Sequence, residues 1–389
     1  METFGDTAVA FGYKSNFELR RAYFLFKSLQ NSFLFKAAKN VVSFCFRFRL
    51  PVSWIVKPTV FRQFCGGTSI DECLPIASSL QKFNVKAILD FSAEDGSNDT
   101  AVNHTMKETL RSIDIAATHP NIAFAVFKPT AFCSDEVLEK MSSGNKVEPK
   151  VLKAAEVFRS RVDMLCLRAY EKGVPIMIDA EDYAFQPFVD LVVDEMMEKY
   201  NIKRAIVYNT LQMYRTDRLE FLAKSLEKAK HKGYFLGMKL VRGAYMERER
   251  ERAERMGYAS PIWPDKQSTD KAYDEAQKFC VENIDRISLF SGTHNENSCA
   301  YLMKLMKEKN LPNNYSGIYF SQLYGMSDHI SFALARDNYN VAKYIPYGPV
   351  RKVLPYLIRR AEENSSVAGQ TDRELQLICS ELNRRKKAS

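Results

Sequence analysis

Apolar and polar positions follow two regimes along this chain: short β-branched or apolar runs, and longer stretches with helical spacing. The runs are Val85–Phe91, Ile122–Thr130, Val174–Glu181, Lys203–Thr210, Phe235–Tyr245, Arg286–Asn295, Gly317–Met326 and Val341–Gly348. Each reads as a strand. The stretches between them are long enough for a helix; in one, Leu219, Leu222, Ala223 and Leu226 make an apolar face and Gly233 is placed to close it. Strand and helix alternating eight times predicts an α/β fold, a (βα)8 barrel whose strands are apolar because both faces are covered. Residues 1–80 predict a mainly helical N-terminal segment, broken at Cys65-Gly66-Gly67-Thr68, with a new helix from about Ser69. Residues 81–389 then form the barrel with a C-terminal helix, on which Val353, Leu354, Leu357, Ile358 and Ala361 share one face. The basic end Arg384–Lys387 reads as a solvated tail.

The ends of the runs carry the chemistry. They finish on Asp90, Lys128, Asp179, Asn209, Lys239 with Arg242, His294, Gln322 and Tyr344. Any one of these is explained by a local hydrogen bond. Eight in phase are not, because a parallel barrel brings the C-terminal ends of its strands to one rim, where active sites sit.

Composition narrows the classes. At 46% hydrophobic and 12% aromatic residues the 389-residue chain has material for a large core, which excludes disorder. The eight cysteines form no CxxC pair and the five histidines have no ligand spacing, so neither a disulfide framework nor a metal is expected, and a reducing compartment is. No run reaches the roughly 18 apolar residues of a membrane span, and the start, with Glu2 and Asp6, lacks a secretory pattern. A soluble or peripherally attached protein is expected. The net charge of +9 is confined to Leu19–Ile70, which holds no acid but has Arg20, Arg21, Lys27, Lys36, Lys39, Arg47, Arg49, Lys57 and Arg62. Tyr23, Phe24, Phe26, Phe33, Phe35, Phe44, Phe46 and Trp54 are interleaved. Two readings stay open: a basic, aromatic face that docks on an anionic membrane, or core aromatics with solvated charges outside. There is no GxGxxG after a strand and no GxxxxGK[ST], so neither a Rossmann nor a P-loop site is expected.

Four blocks together resemble the proline dehydrogenase family: Lys239-Leu-Val-Arg-Gly-Ala-Tyr245 with the charged helix Met246–Met256, Gly292-Thr-His-Asn295, Gln322-Leu-Tyr-Gly-Met326, and Tyr344-Ile-Pro-Tyr-Gly348 leading into Leu357-Ile-Arg-Arg-Ala-Glu-Glu-Asn364. The resemblance covers roughly residues 60–385 and is most like the stand-alone bacterial and mitochondrial enzymes. It implies oxidation of L-proline to Δ1-pyrroline-5-carboxylate, the first step of proline catabolism, by hydride transfer from C5 to N5 of a non-covalently held FAD. It also implies a quinone-type acceptor, and a cytoplasmic or inner-membrane place in a bacterium or a mitochondrial one in a eukaryote.

Carried over position by position, the resemblance assigns Arg359 and Arg360 to the proline carboxylate, with Glu363 holding them. Guanidinium forks suit a bidentate carboxylate. Tyr344 and Leu323 fall beside the pyrrolidine ring; relatives that prefer hydroxyproline have a small polar residue at the tyrosine position. Lys128, Asp179 and Lys239 complete the catalytic set, with Lys239 near flavin N5 and paired with Asp179. Val241, Gly243, Ala244 and Tyr245 meet the flavin, where small residues let backbone approach. Lys266, Thr269 and Asp270 match pyrophosphate and ribose contacts, and His294 with Asn295 further phosphate or adenine-side contacts. Many members have Arg where this chain has Lys239, which keeps the charge without the fork. Either Asn209 or Gln212 serves the flavin pyrimidine edge. The alternatives are another flavin-dependent barrel oxidoreductase, or a basic membrane-binding or nucleic-acid-binding protein without activity; with the motifs in place, nucleic acid is not an expected partner.

Overall fold

A computed structural model describes residues 4–30, 56–92, 98–366 and 370–388, without the side chains of residues 29, 361–366, 370 and 371. Phe33, Phe35, Lys36, Lys39, Phe44, Phe46, Arg47, Arg49, Trp54 and the side chains of Ala361 and Glu363 lie outside the described residues. Eight parallel strands close in sequence order into a barrel: β1 Val85–Phe91, β2 Ile122–Phe127, β3 Ile176–Ile178, β4 Val207–Gln212, β5 Leu236–Val241, β6 Ile287–Gly292, β7 Ile318–Leu323 and β8 Val341–Tyr347. The barrel interior is packed in the layered manner of this fold. Phe124 of β2 meets Tyr208 of β4 and Phe290 of β6 edge-to-face at 5.4 and 5.1 Å, three rings from alternate strands.

The helices are α1 Thr7–Phe11, α2 Asn16–Gln30, α3 Ile70–Gln81, α4 Asp99–Thr118, α5 Asp135–Ser142, α6 Pro149–Lys172, α7 Gln186–Tyr200, α8 Arg218–Lys232, α9 Met246–Met256, α10 Lys266–Glu282, α11 Glu296–Glu308, α12 Asp328–Arg336, α13 Val350–Ser366 and α14 Gln370–Ala388. Gly233 ends α8 in the left-handed conformation, as its spacing predicts.

Where strand limits differ from the sequence reading, a local cause is visible. β2 stops at Phe127 because Pro129 opens a 3-10 turn. β4 starts at Val207 instead of Lys203, because the buried Asn201 side chain accepts from Ile206 N and Val207 N and donates to Val207 O and Phe235 O. Those four bonds hold residues 201–206 as a loop. β7 ends at Leu323 because Met326 N returns to Leu323 O in a turn, with Gly325 at φ +79. A β-carbon on Gly325 would lie 1.9 Å from Gln63 O, so both the conformation and the space require glycine.

The chain groups into two compact units, residues 1–93 with 322–389 and residues 94–321, a different division from the one expected at residue 80. In the first unit, Phe11, Leu19, Ala22 and Phe26 of α1 and α2 share a core with Val353, Leu354 and Leu357 of α13 and Leu377 and Ile378 of α14. The described part of the N-terminal segment is therefore structural. At the basic end Arg384, Lys386 and Lys387 are exposed, as expected, but the end is helical and Arg385 is half-buried. Buried Glu381 binds Arg384 and Arg385, and Arg385 donates to Phe11 O, Lys14 O and Asn16 Oδ1. In the second unit, buried Asp190 of α7 binds Gln186, Asn209 and Arg218 and fixes the helices behind β3 and β4.

Candidate active site

In the second unit the ends of β3 and β5 bring two of the expected residues together. Lys239 Nζ donates to Asp179 Oδ1 at 2.6 Å, with side chains only 8% and 13% exposed. The pairing follows from register: Ile178 faces Asn209 and Thr210 faces Lys239, so Asp179, the residue after Ile178, and Lys239 stand on one level on either side of β4. Asp179 N is itself held by Phe127 O, beside the half-buried Lys128. Glu181, which the sequence reading passed over, braces this corner. Its carboxylate accepts from Thr130 N and Oγ1 at 2.9 and 2.7 Å, and its carbonyl accepts from Gln212 Nε2 at 3.0 Å.

Asn209 and Gln212 differ sharply. Asn209 is fully buried, donating to Asp190 Oδ1 at 3.0 Å and accepting from Thr210 N, and so faces away from the rim. Gln212, at the last position of β4, keeps a buried Oε1 with no hydrogen-bond partner. A buried amide oxygen without a donor is costly, and leaves an acceptor that a water or a ligand N–H can satisfy. Beyond it, Gly243 and Ala244 present exposed backbone. Gly243 has φ +122, and a β-carbon there would come within 2.3 Å of the Tyr214 ring, so the chain can pass this corner only as glycine. Tyr245 is half-buried, with the Arg248 guanidinium 4.5 Å above its ring.

Arg242 is the second residue that the sequence reading left without a role. Its guanidinium lies 4.4 Å from the Tyr273 ring and donates to Asp270 Oδ1, Thr293 Oγ1 and Ser298 Oγ at 2.6, 2.6 and 2.9 Å. One side chain from the end of β5 thereby ties together the first turn of α10, the end of β6 and the first turn of α11. Its place at a strand end, inside the Lys239–Tyr245 block, was its sign in the sequence. Lys266 donates to the other oxygen of Asp270 at 2.5 Å. Burial works against the Asp270 charge, but the bonds from Lys266 and Arg242 outweigh it and hold the carboxyl below its ordinary value. Thr269 is buried with its hydroxyl turned back on Asp265 O, Asn295 caps α11 through Ser298 N, and His294 is half-buried just before it. Two helix N-termini with an arginine and a lysine between them suit a diphosphate.

The first unit supplies the remaining positions. Tyr344, on β8, is 7% exposed, and Tyr324 N donates to its carbonyl at 2.9 Å, which fixes the turn after Leu323 against β8. Arg359 and Arg360 are half-buried in α13, Arg359 off the face that carries Val353, Leu354 and Leu357 and Arg360 at its edge, two turns beyond Val353, and the Arg360 guanidinium lies 5.3 Å from the Tyr356 ring. Among the described residues, no cluster of His, Cys, Asp or Glu is placed to hold a metal ion and no helix is long and apolar enough to cross a membrane.

Residues 73–373 match the proline dehydrogenase family. The chain is 34% identical over 322 residues to the carbapenem antibiotics biosynthesis protein CarD of Pectobacterium carotovorum, covering 83% of each. It is 30% identical to proline dehydrogenase 1, mitochondrial, of Dictyostelium discoideum, covering 98% of this chain and 74% of that protein. Against the human protein of the same name, identity is 41% over 58% of this chain and 38% of the human one. Among solved structures, proline utilization A from Bdellovibrio bacteriovorus inactivated by N-propargylglycine superposes with a TM-score of 0.72 at 22% identity over 82% of this chain. A proline utilization A with proline bound in remote sites gives 0.68 at 19%. This chain spans about a third of those longer proteins, at 34% and 32%, and the likeness to them is one of fold. The match over most of the length and the identity to full-length relatives agree: the chain belongs to the proline dehydrogenase family.

Proposed function

We propose that this protein oxidises L-proline to Δ1-pyrroline-5-carboxylate with FAD held non-covalently. The observation that carries the reading is the buried Lys239–Asp179 pair beside the unpartnered Gln212 oxygen at the ends of β3, β4 and β5. The family is flavin-dependent, and these residues fit a flavin. Gln212 Oε1 offers an acceptor to the N–H of a pyrimidine edge, a role that Asn209 is turned away from. Val241, Gly243, Ala244 and Tyr245 would take the ring system, and Arg242, Lys266, Asn295 and His294 the diphosphate side, with Thr269 and Asp270 shaping the turn beneath. FAD bound there supplies the two-electron acceptor for the hydride that leaves C5 of proline.

The chain's own contribution is orientation and charge. Arg359 and Arg360 grip the carboxylate, Lys128 adds a second cation, and Glu363 holds the arginine pair. Tyr344 and Leu323 enclose the ring. Proline enters as the free amine, so its nitrogen lone pair helps expel hydride and the product carries a C=N bond; no protein base is needed. Lys239 keeps a positive charge where negative charge accumulates, and Asp179 keeps Lys239 in place.

Electrons then pass to a quinone-type acceptor at a membrane. The supporting feature is α2, where Phe17 and Phe24, one heptad apart, are 71% and 65% exposed beside the exposed Arg20 and Lys27. Tyr23 is half-buried and Phe26 buried, so the helix divides its aromatics between core and surface. Such docking suits a bacterial inner membrane or, in a eukaryote, a mitochondrial one.

The test is the absorption spectrum of purified protein before and after anaerobic L-proline, with hydroxyproline and other cyclic amines alongside because one relative is named for carbapenem biosynthesis. A yellow protein bleached by proline supports the reading. Bleaching by another cyclic amine and not by proline replaces the substrate, and a colourless protein sinks it. Acid precipitation should release the colour into the supernatant; colour left in the pellet would mean a covalent link.

A further inference from the structure

Leu323 opens the turn Leu323-Tyr324-Gly325-Met326, and the polar groups behind that turn are arranged with unusual completeness. Lys343 of β8 is fully buried. Its ammonium donates to Met326 O at 2.5 Å and Leu323 O at 3.4 Å and is paired with Asp328 Oδ1 at 2.8 Å. Two of these are the carbonyls at either end of the turn. Asp328, itself 2% exposed, turns its other oxygen to Tyr13 OH and Lys14 Nζ, both at 2.7 Å. Burial alone would raise the Asp328 carboxyl, but Lys14 and Lys343 outweigh it and hold it well below the usual carboxylate range. Ser327, between turn and α12, sits at φ +50 with its N–H donated to buried Glu374 of α14.

We propose that Lys343, with Asp328 and Lys14 behind it, is a positioning device that fixes Leu323 against Tyr344 and so sets how tightly the substrate ring is held. The proposal rests on the assignment of Leu323 and Tyr344 to the proline pocket. Burying a lysine and two carboxylates, with a second lysine half-buried, is a poor way to gain stability, since apolar side chains of the same volume commonly do as well or better. What the charges offer is direction. An ammonium with three donors can hold two carbonyls 2.5 and 3.4 Å away while a carboxylate holds the ammonium. Lys343 neighbours Tyr344 in the chain, and the Tyr344 carbonyl is bonded to Tyr324 inside the turn, so the two walls of the pocket share one anchor. Tyr13 and Lys14 precede the stretch 73–373 that matches the family, so part of the anchor lies outside what relatives of this type share by that match.

The experiment is steady-state kinetics with L-proline on the full chain carrying Lys14→Met, Lys14→Arg and Lys343→Met, with flavin content measured for each. Lys14→Met raises KM about tenfold with kcat within about twofold, because ring holding is loosened while the reacting centre is untouched. Lys14→Arg recovers most of the loss, and Lys343→Met moves KM further in the same direction. Leu222→Ala, in the buried face of α8, is the control for lost stability alone and leaves KM unchanged. If Lys343→Met does not fold, Lys14→Met decides. KM for Lys14→Met within about twofold of wild type overturns the proposal, as does an equal rise in Leu222→Ala. Either result leaves proline oxidation intact, whereas a wild-type protein that does not oxidise proline removes the reading beneath the proposal and the proposal with it.

Discussion

Replacing Lys239 by methionine separates the structural from the electrostatic role of the Lys239–Asp179 pair. Methionine keeps the length and removes the charge. The partner left behind, Asp179, is 13% exposed and loses a bond of 2.6 Å. Breaking a buried pair from one side typically costs about 3–5 kcal/mol, because a charge remains without compensation. The residual exposure and the backbone around Asp179 place this case at the low end, about 3 kcal/mol. The rate loss has a separate origin. A fixed cation aimed at developing negative charge is worth roughly 10²–10³ in rate when removed. The two effects part in the double variant Lys239→Met with Asp179→Asn, which leaves no buried charge. Urea unfolding should show most of the stability recovered, while anaerobic stopped-flow reduction of the flavin by proline should remain as slow as in the single variant. Recovery of the reduction rate to within about threefold of wild type in the double variant would refute the argument, because the lysine would then have served only to neutralise the aspartate.

Three other outcomes follow from the same geometry. Arg359→Met and Arg360→Met should each cost about 2–5 kcal/mol in kcat/KM for proline with normal flavin content; a change under about threefold in steady-state assays counts against the carboxylate clamp. Tyr344→Ser should slow proline oxidation and raise the relative rate on hydroxyproline, and an unmoved ratio of the two kcat/KM values takes Tyr344 out of the pocket. Burial pushes the Glu381 carboxyl up, but hydrogen bonds from Arg384, Arg385 and Thr7 outweigh it and bring it to about 2. Its folded value lies below the unfolded one, so it contributes stability above the unfolded value that is lost as pH falls towards about 2. Hydrogen exchange in α14 should therefore accelerate on acidification below the ordinary glutamate range, and Glu381→Gln should abolish that dependence; the same acid profile in the variant would exclude the pair as its source.

The order of the barrel was readable in the sequence because its signal is local. An apolar run bounded by polar residues reports a buried strand wherever it lies, and Val85–Phe91 is the same in sequence and structure. Lys239 and Asp179 were legible for a related reason, since polar groups closing apolar runs in a parallel barrel share a rim. Which polar group meets which partner is decided by residues far apart in the chain, and there the sequence alone could not choose. Asn209 and Gln212 both stand near the end of β4, yet Asp190 of α7 claims one and leaves the oxygen of the other without a donor. Arg242 reads as one more strand-end cation until Asp270, Thr293 and Ser298 gather round it. The start of β4 was displaced by Asn201, whose four bonds to a loop and a neighbouring strand have no periodicity to betray them. Lys343, inside an apolar strand, and Arg385, in what reads as a tail, become anchors only when Asp328, Glu381 and the first helices are brought beside them. Periodicity records which side of an element is buried, whereas a buried hydrogen bond or ion pair is satisfied only by a partner that the tertiary fold delivers.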